Sequence, residues 1–340
     1  MLRIVPALLL IVFLSRGMSA QGQSFSLGPV QTVPNPEPAL PTYRFCPDGH
    51  ISLLKDGDDL QMIWAGGTSY RTRGRSIFQM RGPEAVLKPG PAGSYDNGGA
   101  WLFAVFRQDA NSLIGFYHAE DHEFIANPAS KFIAWKSSAL CKSDDDGKTW
   151  RKHGRIITSA VEKPAQPTWG GCGDFCVVWD GANSRWACFY QEHFLCLAVS
   201  ADRDGKPGSW KKLYDGDFME PGLGGRNSSL AGLEGHAGGN PSVHFNSFLD
   251  KWVMVWGTWD RGSPSPNSIW LSTSDNLVNW SPPRLVVEAS GRTRFWYPTI
   301  LGGSDVEAGE KALLCYAYFP DKNRSEREFR AQEIVFKKAE

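Results

Sequence analysis

The chain has 340 residues, with 36 Lys plus Arg against 36 Asp plus Glu, so its formal net charge is zero. This balance excludes a strong electrostatic field that would attract nucleic acid or an anionic membrane surface, and the length allows one large domain with a sizeable core. The composition is marked instead by 14 Trp, 19 Phe, 36 Gly and 22 Pro. Many aromatic residues among many turn-forming residues indicate short strands and aromatic-lined surfaces.

The N-terminal segment 1–20 has the pattern of a secretory signal peptide. Arg3 precedes an apolar run that ends at Leu14, and small residues come directly before Gln21. The run is too short to span a bilayer comfortably. We therefore expect residues 21–340 to form a single domain that is secreted or periplasmic, monomeric, and not bound to a membrane once the signal is removed.

Seven cysteines lie beyond this segment. An oxidising compartment permits disulfides, and Cys172, Cys176, Cys188 and Cys196 fall in one short region where pairing is plausible. Buried thiols are equally consistent with the spacing, and the odd count leaves at least one thiol unpaired. No paired Cys-x-x-Cys spacing occurs, which disfavours zinc. We expect no cofactor, and a structural or channel-bound cation stays open.

A four-stranded unit repeats along the chain from residue 45 onward. The first strands of the five units begin at His50, Ala100, Phe175, Ser242 and Thr299. In the first unit we predict a loop over 66–75 and a third strand over 76–80. The fifth unit stops one strand short, and the segment 26–33 is similar to the fourth strands of earlier units. The sequence therefore predicts an all-β, five-bladed propeller whose last blade is closed by the N-terminal strand, which leaves no free sheet edge.

One turn between a third and a fourth strand has a sharp signature. Ser143 to Trp150 reads Ser-Asp-Asp-Asp-Gly-Lys-Thr-Trp. It resembles the Asp-box of sialidases and related secreted β-propellers, Ser-x-Asp-x-Gly-x-Thr-Trp, at every defined position. Degenerate copies end at Trp210 and Trp280. Asp and Gly supply the hydrogen bonds and positive φ of a tight turn, so we interpret these segments as structural.

The repeat also predicts at which of the two rims of the propeller each polar residue lies. The entrances of the innermost strands and the loops between second and third strands share one rim, and the box turns lie on the other. The five entrances are Asp48, Asp96, Asp174, Asn240 and Tyr297. We expect them to ring one mouth of the central channel.

Acidic residues at neighbouring entrances resemble those of five-bladed glycoside hydrolases, such as the family 43 arabinanases and xylosidases and the fructan-cleaving family 32. The resemblance implies a carbohydrate substrate and cleavage of a glycosidic bond. That reaction needs one protonated and one ionised carboxyl on the same bond. We assign Asp48 as base or nucleophile, Asp96 as an orienting or tuning group, and Glu120 as the acid. The Asn-Asp-Pro, Arg-Asp-Pro and Glu-Cys signatures of family 32 are absent from the sequence.

Further residues on this rim are candidates for binding the substrate, because imidazoles and carboxylates bind hydroxyls and indoles stack on sugar rings. They are Arg44, His118, His122, Asp174, Glu192, His193, Glu234, His236, Trp259, Trp296 and Tyr297. The series His118-x-Glu120-x-His122 also admits a metal site, which we disfavour because the helical His-Glu-x-x-His arrangement is absent. Asp48-Gly49 and Asp96-Asn97-Gly98 are equally ordinary turn sequences.

Two alternative functions stay open. Tyr43-Arg44-Phe45-Cys46-Pro47 resembles the motif that supplies the first arginine of the sialidase triad, although sialidases have six blades where five are predicted here. A non-catalytic carbohydrate-binding propeller would also present aromatic and amide side chains on its rim, and the loss of a single carboxylate would matter little to it.

Overall fold

A computed structural model of the chain describes residues 24–36, 46–128, 130, 133–259, 263–321 and 326–338. The strands form five small, largely antiparallel sheets. They are arranged as the blades of a five-bladed β-propeller, so the predicted fold is confirmed. Among the described residues, no helix is long and apolar enough to cross a membrane.

The strands follow the predicted repeat. The described chain opens with β1 (Ser24–Leu27) and β2 (Gln31–Thr32). Blade 1 contains β3 (Ser52–Asp56), β4 (Asp59–Gly66), β5 (Thr68–Gly74), a 3-10 turn (Ile77–Gln79) and β6 (Arg81–Leu87). Blade 2 contains β7 (Gly99–Arg107), β8 (Leu113–Asp121), β9 (Trp135–Ser143), β10 (Arg151–Ile157) and β11 (Gly170–Gly171). Blade 3 contains β12 (Gly173–Asp180), β13 (Arg185–Glu192), β14 (Phe194–Ser200), β15 (Lys211–Tyr214) and β16 (Asp217–Pro221). Blade 4 contains β17 (Gly238–Asn246), β18 (Lys251–Thr258), β19 (Ile269–Ser274) and β20 (Arg284–Val287). Blade 5 contains β21 (Arg294–Leu301), β23 (Lys311–Phe319) and β24 (Glu328–Lys337), and the intervening β22 (Glu307–Ala308) pairs with β17.

The ring is closed as the sequence predicts. Blade 5 has the order β1-β24-β23-β21, and β1 runs antiparallel to β24, with Ser24 opposite Lys337 and Leu27 opposite Ile334. β2 also pairs with β24. The N-terminal segment thus supplies the outer strand of the last blade, two residues earlier than expected, and the first and last parts of the chain are joined in one sheet.

One predicted strand of blade 1 is wrong. The third strand is Thr68–Gly74, where we expected a loop, and the expected strand 76–80 contains the 3-10 turn. The arginines of β5 make its sequence polar, so the segment resembles a loop. Arg71 pairs with Glu84 at 2.5 Å and Arg73 with Asp146 at 2.5 Å, so their charges are used within the fold.

The blades are held together by an aromatic core, in which Trp64, Trp210 and Trp256 are fully buried. All seven cysteines are buried and none forms a disulfide, so the structure has none of the pairings considered above. Burial raises the pKa of Cys46 to about 12. The thiols therefore act as small apolar side chains in the core.

The turn between β9 and β10 is closed by its own side chains. Ser143 Oγ accepts a hydrogen bond from the Gly147 amide at 2.9 Å, and Asp145 Oδ1 accepts one from the Thr149 amide at 2.9 Å. Trp150 Nε1 donates to the Gly147 carbonyl at 3.1 Å. The indole nitrogen of Trp280 likewise donates to a carbonyl three residues earlier. These turns lie at the ends of the blades opposite the strand entrances.

Candidate active site

The innermost strands of blades 3, 4 and 5 open with the same irregularity. Each has a register shift against its neighbour, between Gly173 and Cys176 in blade 3 and at corresponding places in blades 4 and 5. Inside each shift one residue adopts a left-handed backbone, with φ of 48° at Asp174, 55° at Asn240 and 54° at Tyr297. Bulges re-aim side chains, and a positive φ at a bulky residue such as Tyr is strained. Strain repeated at three entrances makes this rim the candidate functional site.

The three side chains face a cavity of about 540 Å³ at one end of the channel, which we call the mouth. Its lining residues are Asp48, Gly98, Trp101, Glu120, His122, Lys136, Trp169, Asp174, Gln191, Asn240, Trp259, Trp296, Tyr297, Phe319 and Arg327. The volume lies in the range of small-molecule sites. The lining thus combines indole rings with carboxylates and amides.

Two carboxylates of the mouth have cationic partners. Arg327 Nη1 lies 2.6 Å from Asp48 Oδ1, and Lys136 Nζ lies 3.0 Å from Asp174 Oδ2. Burial alone would lower the pKa of Lys136, but the charges of Asp174 and Glu120 raise it above its usual value. The pKa of Tyr297 is raised well above its usual value, first by burial and then by the charges of Asp48 and Asp174. The mouth thus holds alternating charges around a neutral tyrosine.

Glu120 is bound by two imidazoles. His118 Nε2 lies 3.1 Å from Oε1, and His122 Nε2 lies 2.7 Å from Oε2. Burial raises the pKa of Glu120, but the hydrogen bonds and charges of the two histidines outweigh it and bring the pKa to about 2. Glu120 is therefore an ionised acceptor, which differs from the proton-donor role that we expected from the sequence.

Asp96 does not reach the mouth. Its side chain is 2% exposed and is bound by Ser94 Oγ at 2.9 Å, Tyr117 Oη at 3.2 Å and Lys152 Nζ at 2.5 Å. The entrance of blade 2 is occupied instead by Gly98, where a Cβ would overlap the ring of His122. The structure thus places Asp96 among turn and packing contacts, and the expected tuning role does not fit its position.

Five predicted binding residues do not line the mouth. His118 is buried and is bound to Glu120. Glu192 is 8% exposed and is bound by Ser159, Cys172 and Asn227. His193 is exposed at the corner between β13 and β14. Glu234 is exposed and accepts from a backbone amide of its own loop, and the ring of His236 lies 4.5 Å from that of Trp270. Arg44 lies outside the described residues.

The sequence reading missed Lys136, Gln191, Phe319 and Arg327 as site residues. Lys136 stands at the start of a third strand, and Arg327 directly precedes one. The rule that third strands begin on the mouth rim would have selected both cations. No group of three or more His, Cys, Asp or Glu side chains within the described ranges is arranged to hold a metal ion.

No protein-family model matches the chain, and no curated protein matches it. Solved structures do match. Zg3597, a family 117 glycoside hydrolase of the marine bacterium Zobellia galactanivorans, is 9% identical with a TM-score of 0.55 over 93% of this chain and 90% of its own. An α-L-arabinanase of Cellvibrio cellulosa complexed with arabinohexaose is 12% identical with a TM-score of 0.52 over 83% of this chain and 90% of its own. The family 43 protein BlXynB of Bacillus licheniformis is 10% identical with a TM-score of 0.51 over 85% of this chain and 54% of its own. At these identities the likeness establishes the fold that this chain shares with glycoside hydrolases.

Proposed function

We propose that this protein is a secreted glycoside hydrolase that cleaves a glycosidic bond of a poly- or oligosaccharide at the mouth. The observation that supports the proposal most strongly is the convergence of Asp48, Glu120 and Asp174 with four tryptophans on one cavity. Glycoside cleavage requires a proton donor and an ionised carboxylate at one bond, and the mouth supplies ionisable groups for both. The fold likeness to glycoside hydrolases agrees with this reaction, and the N-terminal sequence pattern supports export.

Asp48 is the base or nucleophile of the proposed reaction. The Arg327 guanidinium, 2.6 Å from Oδ1, fixes the orientation of the carboxylate by a charge-assisted bond. An oriented carboxylate can attack the anomeric carbon or activate a water molecule, and holding it in place lowers the entropic barrier. Asp174, with Lys136, supplies the second fixed charge of the site.

Tryptophans form the walls that would hold the sugar. Trp259 and Trp296 meet edge to face with ring centroids 5.9 Å apart. Trp169 lines the same cavity and is 52% exposed, so its ring face is free to stack on a sugar unit that enters from solvent. Gln191 and Asn240 add amide groups that can bind hydroxyls.

A non-catalytic carbohydrate-binding propeller is the second candidate. It is favoured by one observation: each of the three carboxylates that line the mouth, Asp48, Glu120 and Asp174, already has a cationic or imidazole partner. The sialidase alternative is disfavoured, because the described residues form five blades and sialidases have six.

The test is a screen of the wild-type protein against arabinan, xylan, fructan and sialylated substrates, followed by Asp48→Asn. We expect the variant to lose about 10³-fold in kcat/KM, the usual scale for a catalytic carboxylate, while sugar binding is retained. Asp144→Asn, at an exposed position on the opposite rim, is the matched control. Sugar binding by a wild-type protein that hydrolyses nothing would support the binding module, and unchanged hydrolysis by Asp48→Asn would refute this site.

A further inference from the structure

The end of β8 brings three titratable side chains to one side of the blade. His118 and Glu120 are two residues apart on the strand, and His122 directly follows it. Alternation along a strand places such residues on the same face. Each carboxylate oxygen of Glu120 then meets one imidazole, at 3.1 Å for His118 and 2.7 Å for His122.

The protonation of His118 follows from its partners. The Asp174 backbone amide donates to His118 Nδ1 at 2.9 Å, so Nδ1 carries no proton. The proton is on Nε2, which donates to Glu120 Oε1. Both nitrogens of His118 are used and its side chain is buried, so this histidine fixes Glu120 and cannot exchange a proton with a ligand.

His122 differs in one respect. Its Nε2 is bound to Glu120 Oε2. Its Nδ1 has no hydrogen-bond partner among the described residues, and it is not one of the buried side-chain atoms that lack a partner. The ring lines the mouth with a side-chain exposure of 19%. Nδ1 is therefore the nitrogen that a ligand in the mouth can reach.

We propose that His122 is the general acid of the mouth and that Glu120 is the residue that positions it, an inference that rests on the proposed glycosidase function. The imidazolium donates its Nδ1 proton to the glycosidic oxygen as the bond to the anomeric carbon breaks. The electron pair of that bond stays on the departing oxygen, which leaves as an alcohol. His122 is left neutral with its proton on Nε2.

The rest of the reaction balances through Asp48. If Asp48 activates water, it takes the proton of the attacking molecule, and solvent resets both groups. If Asp48 attacks directly, neutral His122 takes a proton from the water that later cleaves the ester. In either case the Glu120 carboxylate, fixed on Nε2, faces the positive charge of the ring and orients Nδ1 toward the substrate.

The other proton-bearing groups of the mouth are poorer donors. Lys136 Nζ is bound to Asp174, and the pKa of Lys136 is raised. Tyr297 has a pKa held well above its usual value by burial and by neighbouring carboxylates. A donor with a raised pKa gives up its proton less readily. Among the lining residues, His122 therefore offers the better donor, because a ligand can reach its Nδ1.

The experiment compares two leaving groups with wild type, His122→Gln and Asp48→Asn. The leaving group of a polysaccharide is a sugar alkoxide, which needs a proton. The leaving group of a dinitrophenyl glycoside of the same sugar is dinitrophenolate, which departs without one. We expect His122→Gln to lose about 10²- to 10⁴-fold on the polysaccharide and less than about 10-fold on the dinitrophenyl glycoside, and Asp48→Asn to lose on both. His153→Gln, at an exposed position on the outer strand β10, is the matched control and should keep full activity.

A second variant tests Glu120 through a readout that a structural role would not affect. Glu120→Gln should move the alkaline limb of the kcat/KM profile on the polysaccharide to lower pH, because the imidazolium loses its anionic neighbour. Equal loss by His122→Gln on both substrates, or an unmoved alkaline limb in Glu120→Gln, would overturn the assignment. A wild-type protein that hydrolyses neither substrate would overturn the proposed function itself.

Discussion

The mouth holds a partly buried carboxyl, Glu120, and the opposite end of the innermost strands holds a fully buried one, Asp305, and their pKa values are shifted in opposite directions. At the opposite end, Asp305 accepts from the Leu53 amide at 2.7 Å and from the Ser52 hydroxyl at 3.2 Å. Burial dominates there and raises the pKa of Asp305 to about 7. Burial also raises the pKa of Glu120, but two imidazoles bring it to about 2.

The comparison shows that burial alone does not decide the ionisation of these groups, because the partners of each carboxyl decide whether burial prevails. The amide and hydroxyl donors of Asp305 are neutral, so they do not offset the free-energy cost of ionising a buried carboxyl. The imidazoles beside Glu120 stabilise its ionised form through hydrogen bonds and charge. A carboxyl with a raised pKa is the usual candidate for a proton donor. In this protein the carboxyl with the raised pKa is Asp305, which lies away from the mouth and joins blade 5 to blade 1. A search by raised pKa alone would therefore choose the structural end of the molecule.

The largest expected effect is on stability, at the rim that holds the box turns. Trp210 is fully buried, and its Nε1 donates to the Gly205 carbonyl at 2.9 Å. Trp210→Ala should lower the free energy of unfolding by about 3–5 kcal/mol and leave kcat/KM of the folded enzyme unchanged. Urea denaturation and initial rates measure the two quantities. Trp169→Ala, at the mouth, is the reciprocal control: it should raise KM and leave unfolding nearly unaltered.

The second effect tests the two carboxyls directly through pH. Folded Asp305 keeps its proton up to about pH 7, whereas its ordinary pKa is 3.8, so its contribution makes the protein less stable as pH rises through that window. Asp305→Asn should remove this slope, as seen in denaturation curves at several pH values between the two pKa values. Glu120 should act with the opposite sign, because its stabilising contribution is present above its ordinary pKa of 4.5 and is lost as pH falls toward about 2. A wild-type slope equal to that of Asp305→Asn would contradict the first half of this comparison.

The fold could be predicted from the sequence because its signals are local. Each box turn is closed by hydrogen bonds within eight residues, and apolar strands of similar length surround it. The third strand of blade 1, Thr68–Gly74, was missed because its sequence is polar: Arg71 and Arg73 pair with side chains outside the segment. Long-range ion pairs of this kind leave no periodic pattern in the segment itself. The additional outer strand β16 (Asp217–Pro221) was missed as well, since 219–239 was expected to be a loop.

The site could be predicted only in part. Asp48, His122 and Asp174 do line the mouth, because the register of the repeat places them there. The state of Glu120 could not be predicted, since it depends on the Asp174 amide fixing His118 across 56 positions of the chain. Asp96 was misplaced because an Asp-Asn-Gly-Gly turn sets the entrance of blade 2 two residues later, at a glycine.

The third prediction concerns Asn240, which lines the mouth with 5% of its surface exposed and whose Oδ1 has no donor among the described residues. An unpaired buried amide costs about 1–3 kcal/mol, which a ligand hydroxyl could offset. Asn240→Gly keeps the left-handed backbone, where φ is 55°, and removes the amide. We expect kcat/KM to fall about 10- to 100-fold with no loss of stability, measured by kinetics and thermal unfolding. Asn240→Asp retains an acceptor and is the matched control, and an unchanged rate in the glycine variant would exclude a role in substrate binding.

The smallest effect should come from the residue with the sharpest sequence signature. Asp145 is bound by the Thr149 hydroxyl at 2.6 Å and by Ser143 Oγ at 2.8 Å, and these bonds, with backbone amides, outweigh burial and lower its pKa to about 2. Asp145→Ala should lower the free energy of unfolding by about 1 kcal/mol, since the turn is partly open to solvent, and should leave hydrolysis and its pH profile unaltered. Asp144→Ala, whose carboxylate pairs only with a well-exposed Arg151 in the described structure, should change neither quantity. Any loss of kcat/KM in Asp145→Ala at full folding would mean that the two rims are coupled. Without that coupling, the geometry of a tight turn explains the signature. The proposed chemistry then depends on mouth residues gathered from all five blades, which no short stretch of sequence can reveal.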